Sequence, residues 1–366
     1  MRATVVGAGV VGLTTAVTLV ERGAEVSLVE RSLELGGNAS WLAGGMLAPF
    51  CEGESAPPQV TELGRRAIDW WEAHAPGVAR TGTLVVAPPR DVSEIERFAQ
   101  RTSGYERVDE ARIAALEPDL SGRFHNGLFF AGEGHLDPRA ALRALARRLR
   151  GQGGELRFGE DGMRLGSEAG IVLDCRGFAA RPQLPDLRGV RGEMIRVRTP
   201  EVRLTRSVRL LHPRIPLYVV PRADGEYMIG ATMIESAEKG AVSVRSALEL
   251  LSAAYALHPA FGEAEILEMS ADVRPAYPDN EPRIEEREGR VFVNGFYRHG
   301  FLLAPAFAEK AAALAFEKAG RAKALTARDA EPHLGKWLIE NLAGAGEIEL
   351  PSRQEDRPDP FEGWEL

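Results

Sequence analysis

The sequence predicts an α/β fold, a Rossmann-like domain into which a β-rich domain of antiparallel sheet and helices is inserted. Two observations carry that prediction. The N-terminal stretch ATVVGAGVVGLTTAVTLVERGAEVSLVER reads strand, tight turn, helix, turn, strand over about thirty residues, the length of one βαβ unit. From RGVRGEMIRVRTP to LYVVPRADGEYMIGATMIE the pattern changes to alternating strands joined by hairpin signals, of which Asp224-Gly225 is the strongest.

Within the first unit each glycine of G-x-G-x-x-G has a physical task. Gly7 permits the turn, Gly9 lets backbone N–H groups approach a pyrophosphate at the helix N-terminus, and Gly12 lets the helix press on the strand. Glu30 follows at the end of the second strand, where a carboxylate accepts both hydroxyls of an adenosine ribose and disfavours the extra phosphate of NADP. The motif does not choose between FAD and NAD, which share the ADP half. The next stretch, GGNASWLAGGMLAPF at residues 36–50, has the small and hydroxyl residues of a backbone that runs close beside a long cofactor, where an NAD domain would proceed to another plain βαβ unit.

Further along, residues 60–74 read as an amphipathic helix, RTGTLVVAPP as strand, DVSEIERFAQRTSG as helix, and HLDPRAALRALARRLRGQGG as a helix with Pro138 near its start and glycines past its end. GIVLDCRGF is a buried strand that returns the chain to the first domain, residues 243–257 form a helix, and a last strand leads into a long helix over about residues 301–320. The nucleotide-binding domain is therefore expected to be discontinuous, made of residues 1–75, 136–188 and 272–325, with residues 76–135 and 189–271 forming the substrate domain. Residues 342–366, acidic and proline-bearing, are expected to form a loosely held tail.

Composition narrows the partners. The 366 residues include 45 basic and 53 acidic ones, a net charge of -8, and 44% hydrophobic residues, enough for a large core but without the basic face that a phosphate backbone requires. Nucleic acid is not an expected partner. No stretch reaches the roughly 18 to 20 apolar residues of a membrane span, so no membrane association is expected, and the glycine-broken start reads as the first strand and helix of the fold. Cys51 and Cys175, the only cysteines, lie far apart without metal spacing. They point to a reducing, cytoplasmic setting and to no metal site.

Together, the Gly7–Glu30 fingerprint, GGNASWLAGGMLAP, GVRGEM, LYVVPRADGEYMIGATM, DVRPAYPDNEPRI and GFYRHGFLLAP resemble the FAD-dependent D-amino-acid oxidase superfamily, and within it most the bacterial glycine oxidases of thiamine biosynthesis. The resemblance covers about residues 1–320, in order. It implies oxidation of a small amine or amino acid such as glycine by FAD, with molecular oxygen reduced to hydrogen peroxide and the imine hydrolysed to a 2-oxo acid, glyoxylate for glycine, plus ammonia. It places Val10, Val11, Glu30, Arg31, Ala39 and Ser40 among the FAD contacts, with Gly44, Gly45 and Met46 and the block Phe296, Tyr297, Arg298, His299, Gly300, Phe301 and Leu302. Arg274 and Arg298 align with substrate-contacting arginines, Tyr218 with a tyrosine that reaches the substrate carboxylate, and Cys51 and Met233 fall at the pocket wall.

The chain departs from the family pattern in places. Phe296 stands where a histidine is common, Trp41 where a small residue is usual, and residues 159–170 are shortened, which leaves the adenine-side contact unassigned. Both cysteines precede residue 176, so the FAD is expected to be non-covalent. Homo-oligomers are known among close relatives, and the resemblance leaves that assembly open.

Oxidation at an α-carbon needs a carboxylate clamp, a neutral amine and an α-hydrogen aimed at the flavin. A guanidinium fork matches a carboxylate better than an ammonium does, and Arg274, followed by Pro275, can hold one rigidly; the plain alternative is a surface ion pair. For Tyr218 the plain alternative is core packing. His299 is not required as a base, and Asp272 and Glu281 read as solvated or capping residues. The N-terminus of the helix that starts near Gly300 is expected to face the flavin and favour its negative charge on reduction. Alternatives are a D-amino-acid or sarcosine-type oxidase or dehydrogenase of the same family and, from another class, an NAD-binding protein or a non-catalytic flavin-binding module.

Overall fold

A computed structural model describes residues 1–165, 170–212 and 217–326, and the expected acidic tail lies outside them. Its centre is the strand Arg2–Val6, whose burial leaves only Arg2 outside the core. Parallel partners flank it, Glu25–Glu30 on one side and Ile171–Asp174 on the other. Glu155–Phe158 extends the sheet beyond Glu25–Glu30, and Arg290–Asn294 with antiparallel Arg283–Arg287 completes six strands at the far edge. The buried run IVLD at 171–174 thus returns the chain to the first strand. Helix Val10–Glu21 packs against helix Pro138–Gly151, whose start is set by Asp137 accepting from the N–H groups of Arg139 and Ala140 at 2.7 and 3.2 Å.

The second sheet has nine strands. Its long spine is the antiparallel pair Arg188–Arg198 and Glu265–Ala276. They pair in step from Arg188 opposite Ala276 to Arg196 opposite Glu268; the register then shifts to Val197 opposite Ile266, and Leu267 is the extra residue of a bulge. The Glu265–Ala276 strand belongs wholly to this sheet, so the boundary expected at residue 272 falls inside it. Strands Leu217–Pro221 and Glu226–Gly230 are joined by the expected turn, in which Asp224 and Gly225 both take positive φ. Helix Val244–Leu257, capped by Ser243 as its side chain accepts from the Ser246 N–H, covers one face through Leu250, Ala254 and Leu257.

Two helices differ from expectation or carry an unusual residue. The helix expected over 60–74 is two, Pro58–Gly64 and Ala67–His74. The break follows Gly64, where a side chain would meet Leu302 at 2.8 Å, so the glycine allows close approach to the last helix. That helix, Gly300–Thr326, contains Pro305, which has no N–H for the carbonyl of Phe301 four residues back. The indole N–H of the fully buried Trp71 donates to that carbonyl at 2.8 Å and replaces the missing bond. Met1–Ala319 is one compact unit. Among the described residues no helix is long and apolar enough to cross a membrane.

Candidate active site

A cleft runs along the C-terminal ends of the central parallel strands and onto one face of the larger sheet. At its nucleotide end Gly7 takes a φ of +103° and lies so close to the next strand that a side chain would meet the Cys175 carbonyl at 2.8 Å. Gly12 is pressed harder: a Cβ there would fall 1.8 Å from the Gly7 carbonyl, so Gly12 sits under the turn and does not line the cleft. Gly9 is different, since its Cβ would meet only Ser40 Oγ at 3.2 Å and would otherwise project into open space. The Ser40 hydroxyl accepts from the Val10 N–H at 3.0 Å. Glu30 is fixed by two backbone donors, Ala8 N–H to Oε2 at 2.8 Å and Ser32 N–H to Oε1 at 2.9 Å, and each oxygen keeps a lone pair for a ribose hydroxyl.

The other expected cofactor residues line the same cleft: Gly7, Val11 and Arg31, then Ala39, Gly44, Gly45 and Met46, and the whole block from Phe296 to Leu302. Asp161 and Gly162 line it as well, in the segment that sequence left unassigned. Gly162 packs on Val6, and its carbonyl accepts from Arg290 Nη1 at 3.0 Å. The partly buried Arg222 donates to the Gly44 carbonyl at 2.7 Å and ties the small-residue loop to the larger sheet. Glycines without side chains, a fixed carboxylate and the open first turn of the Gly300–Thr326 helix suit a long dinucleotide.

The reacting end is built by sheet register. One row of paired residues crosses five strand boundaries, Val85, Arg209, Tyr218, Gly230, Met194 and Ser270. Arg209, Tyr218 and Met194 of this row line the cleft. Two and four residues along the spine, on the same face by the period of two, stand Gly192 and Asp272, then Arg274. The Arg274 guanidinium lies over Gly192, where a Cβ would be 2.2 Å from its carbon, and Nη1 donates to the Thr232 carbonyl at 3.0 Å. The Tyr218 ring is slotted between two more glycines: a Cβ on Gly44 would meet the ring at 2.8 Å, and one on Gly230 would meet the hydroxyl at 3.1 Å. Burial raises the Tyr218 pKa, so the phenol stays a neutral donor.

Arg298 is held by neighbours from its own chain. Its Nε lies 2.8 Å from Oε2 of Glu52, Nη2 donates to Ser55 Oγ at 2.7 Å, and Nη1 is 3.7 Å from Met233 Sδ. It lines the cleft, but a carboxylate of the chain itself already partners it. Glu52 also lies 3.6 Å from Arg209 Nη1 and 3.4 Å from His299 Nδ1. Burial pushes the Glu52 carboxyl up, but Arg298, His299 and Arg209 outweigh it and bring the pKa to about 2. Burial lowers His299 to about 4, so its imidazole is neutral.

Several residues need reassignment. Glu52, Arg209 and Lys239 line the cleft and were not singled out by sequence. Asp272, read as solvated or capping, is buried; Oδ1 pairs with Lys239 Nζ at 2.7 Å and accepts from the Val273 N–H at 2.8 Å. Cys51 and Met233, expected at the pocket wall, do not line the cleft. Cys51 is fully buried, its N–H donating to Glu133 Oε1 at 2.7 Å, and Met233 is half exposed with Sδ 3.2 Å from Tyr297 Oη. Glu133 is itself buried, and burial, aided by the charge of Glu52, raises its pKa to about 7. Trp41 lies beneath the guanidinium groups of Arg139 and Arg143, away from the cleft.

The fold and the cleft define a dinucleotide-binding protein whose far end offers a guanidinium and a phenol to a small anion. Comparison with known proteins narrows the class. The model of the FAD dependent oxidoreductase family matches residues 2–314. A Rhizobium etli protein named for thiamine biosynthesis, the oxidoreductase ThiO, is 57% identical over 85% of this chain and 95% of its own length. A glycine oxidase of Pseudomonas aeruginosa is 28% identical over 83% and 92%. The crystal structure of glycine oxidase from Geobacillus kaustophilus superposes with a TM-score of 0.73 at 22% identity, covering 86% of this chain and 94% of that one, and so shares the fold. The chain belongs to the FAD dependent oxidoreductase family, and its cofactor is FAD.

Proposed function

We propose that the protein is a glycine oxidase, converting glycine or a similarly small amino acid to its imine, which takes up water to give the 2-oxo acid and ammonia. On this reading the six-stranded sheet carries the cofactor: Gly7, Gly9, Val10 and Val11 receive the pyrophosphate, Glu30 the ribose, and Gly44 to Met46 with the Phe296–Leu302 block the flavin. Bound FAD would supply the two-electron acceptor for oxidation at the α-carbon, with molecular oxygen as the final acceptor and hydrogen peroxide as its product. The larger sheet supplies the substrate site. Arg274 and the neutral Tyr218 hold the carboxylate, and the first turn of the Gly300–Thr326 helix favours negative charge at the flavin end.

The observation that carries the proposal is Arg274 seated over Gly192 and tied to the Thr232 carbonyl, facing the cleft beside Tyr218. The name of the Rhizobium etli relative supports a role in thiamine biosynthesis. Anaerobic mixing of the purified holoenzyme with glycine, sarcosine, D-alanine and D-proline, followed by flavin bleaching, tests it. Fastest bleaching by glycine is expected, and faster bleaching by D-alanine or D-proline would assign the protein to a D-amino-acid oxidase activity instead.

A further inference from the structure

Three guanidinium groups line the reacting end of the cleft, those of Arg209, Arg274 and Arg298. Only one is left for an incoming anion. Among the described residues Arg274 pairs with no carboxylate and is held by the Thr232 carbonyl, whereas Glu52 lies against both Arg298 and Arg209. Glu52 is held in place: it ends the short helix Pro49–Glu52, its carbonyl accepts from Ala56 N–H at 2.9 Å, and the N–H of the preceding Cys51 is bound by Glu133. The 2.8 Å contact with Arg298 is coulombic, since the N–H is not aimed at the oxygen and both atoms lack a hydrogen-bond partner. A second negative group on a substrate therefore meets a fixed carboxylate where a free arginine would otherwise receive it.

We propose that Glu52 is a specificity-determining residue that restricts the cleft to amines bearing one carboxylate, by occupying Arg298 and repelling a second anionic group. The inference rests on the substrate reading above. Charge, not size, is the discriminating property: removing the Glu52 charge frees Arg298, still oriented by Ser55, to bind the second carboxylate of a dicarboxylic amine.

The test uses the FAD-loaded protein and two probes of equal size, malonate and malonamate, which differ by one charge. Dissociation constants are measured by titration calorimetry at a pH where both malonate carboxyls are ionised. Wild-type protein is expected to bind malonamate at least tenfold more tightly than malonate. Glu52→Gln is expected to erase or reverse that preference and to raise the ratio of kcat/KM for iminodiacetate over glycine about tenfold; Glu52→Asp keeps the wild-type ratio, and Arg298→Leu added to Glu52→Gln cancels the gain. Wild-type binding of malonate as tight as malonamate, or a Glu52→Gln ratio within twofold of wild type, overturns the proposal. If the glutamine variant does not fold, the wild-type preference decides alone. If no amine is turned over, the substrate reading fails while the two dissociation constants still judge Glu52.

Discussion

The backbone N–H of Tyr297 donates to the carbonyl of Pro275 at 2.8 Å. Through that bond and the adjoining Ala276–Phe296 bridge, the segment carrying Arg298 is laid directly against the strand carrying Arg274. Tyr297 takes a φ of +51° to do so, in the left-handed region that non-glycine residues rarely occupy. Main-chain hydrogen bonding thus joins the end of the nucleotide-binding sheet to the substrate face.

Arg274 is expected to dominate carboxylate binding. Its replacement by alanine should cost about 2 to 5 kcal/mol in apparent substrate affinity, read as a raised KM with flavin absorbance retained. Lysine should restore little, because its ammonium lacks the planar fork. Kinetics indistinguishable from wild type would refute the clamp.

Gly9 and Gly12 should fail in different ways. Valine at position 9 meets only Ser40 and then open cleft, so Gly9→Val is expected to fold and to purify colourless. Alanine at position 12 collides with the Gly7 carbonyl, so Gly12→Ala should lower the melting temperature of the apoprotein itself. Full FAD occupancy in Gly9→Val would count against the proposed path of the pyrophosphate.

Glu133 predicts a pH dependence of stability. Its folded pKa, about 7, lies above the ordinary 4.5. Unfolded chains therefore ionise this group first, and the fold loses up to about 3 kcal/mol between pH 4.5 and pH 7, with no further change above. Glu133→Gln keeps an acceptor for the Cys51 N–H and removes the titration. Its stability in urea unfolding, relative to wild type, should rise across that window; a constant difference from pH 5 to 8 would show that Glu133 does not titrate there.

Trp71 and Pro305 should be coupled. Trp71→Phe orphans the buried Phe301 carbonyl and is expected to cost about 1 to 3 kcal/mol. In a Pro305→Ala background the restored N–H can take over that acceptor, and the cost of Trp71→Phe should shrink. Additive losses in the double-mutant cycle would mean that the indole stabilises by packing alone.

What could be read from the sequence was local. The turn glycines and Glu30 lie within one βαβ unit, and Pro138 and the Asp224-Gly225 turn act on their immediate neighbours, so their spacing specifies their geometry. At the reacting end family likeness reached Tyr218 but neither Arg209 nor Met194, because the three come from three strands and meet through a register that no single stretch encodes. Glu52 escaped for a related reason: its partner Arg298 lies 246 residues away, and an acid at the end of a four-residue helix resembles any solvated one. Asp272 was misjudged because its partner, Lys239, sits on a loop whose position over the strand is tertiary.

The bulge at Leu267 divides the Glu265–Ala276 strand into two parts with unequal tolerance for a change in length. An insertion or deletion at the bulge is absorbed where the register already slips, and the rungs from Glu268 to Ala276 keep their facing. The same change between Ser270 and Arg274 turns the guanidinium to the opposite face of the sheet and removes it from the cleft. Drift in loop and strand length during divergence therefore has one silent outlet on this strand, and the carboxylate site begins a few residues beyond it.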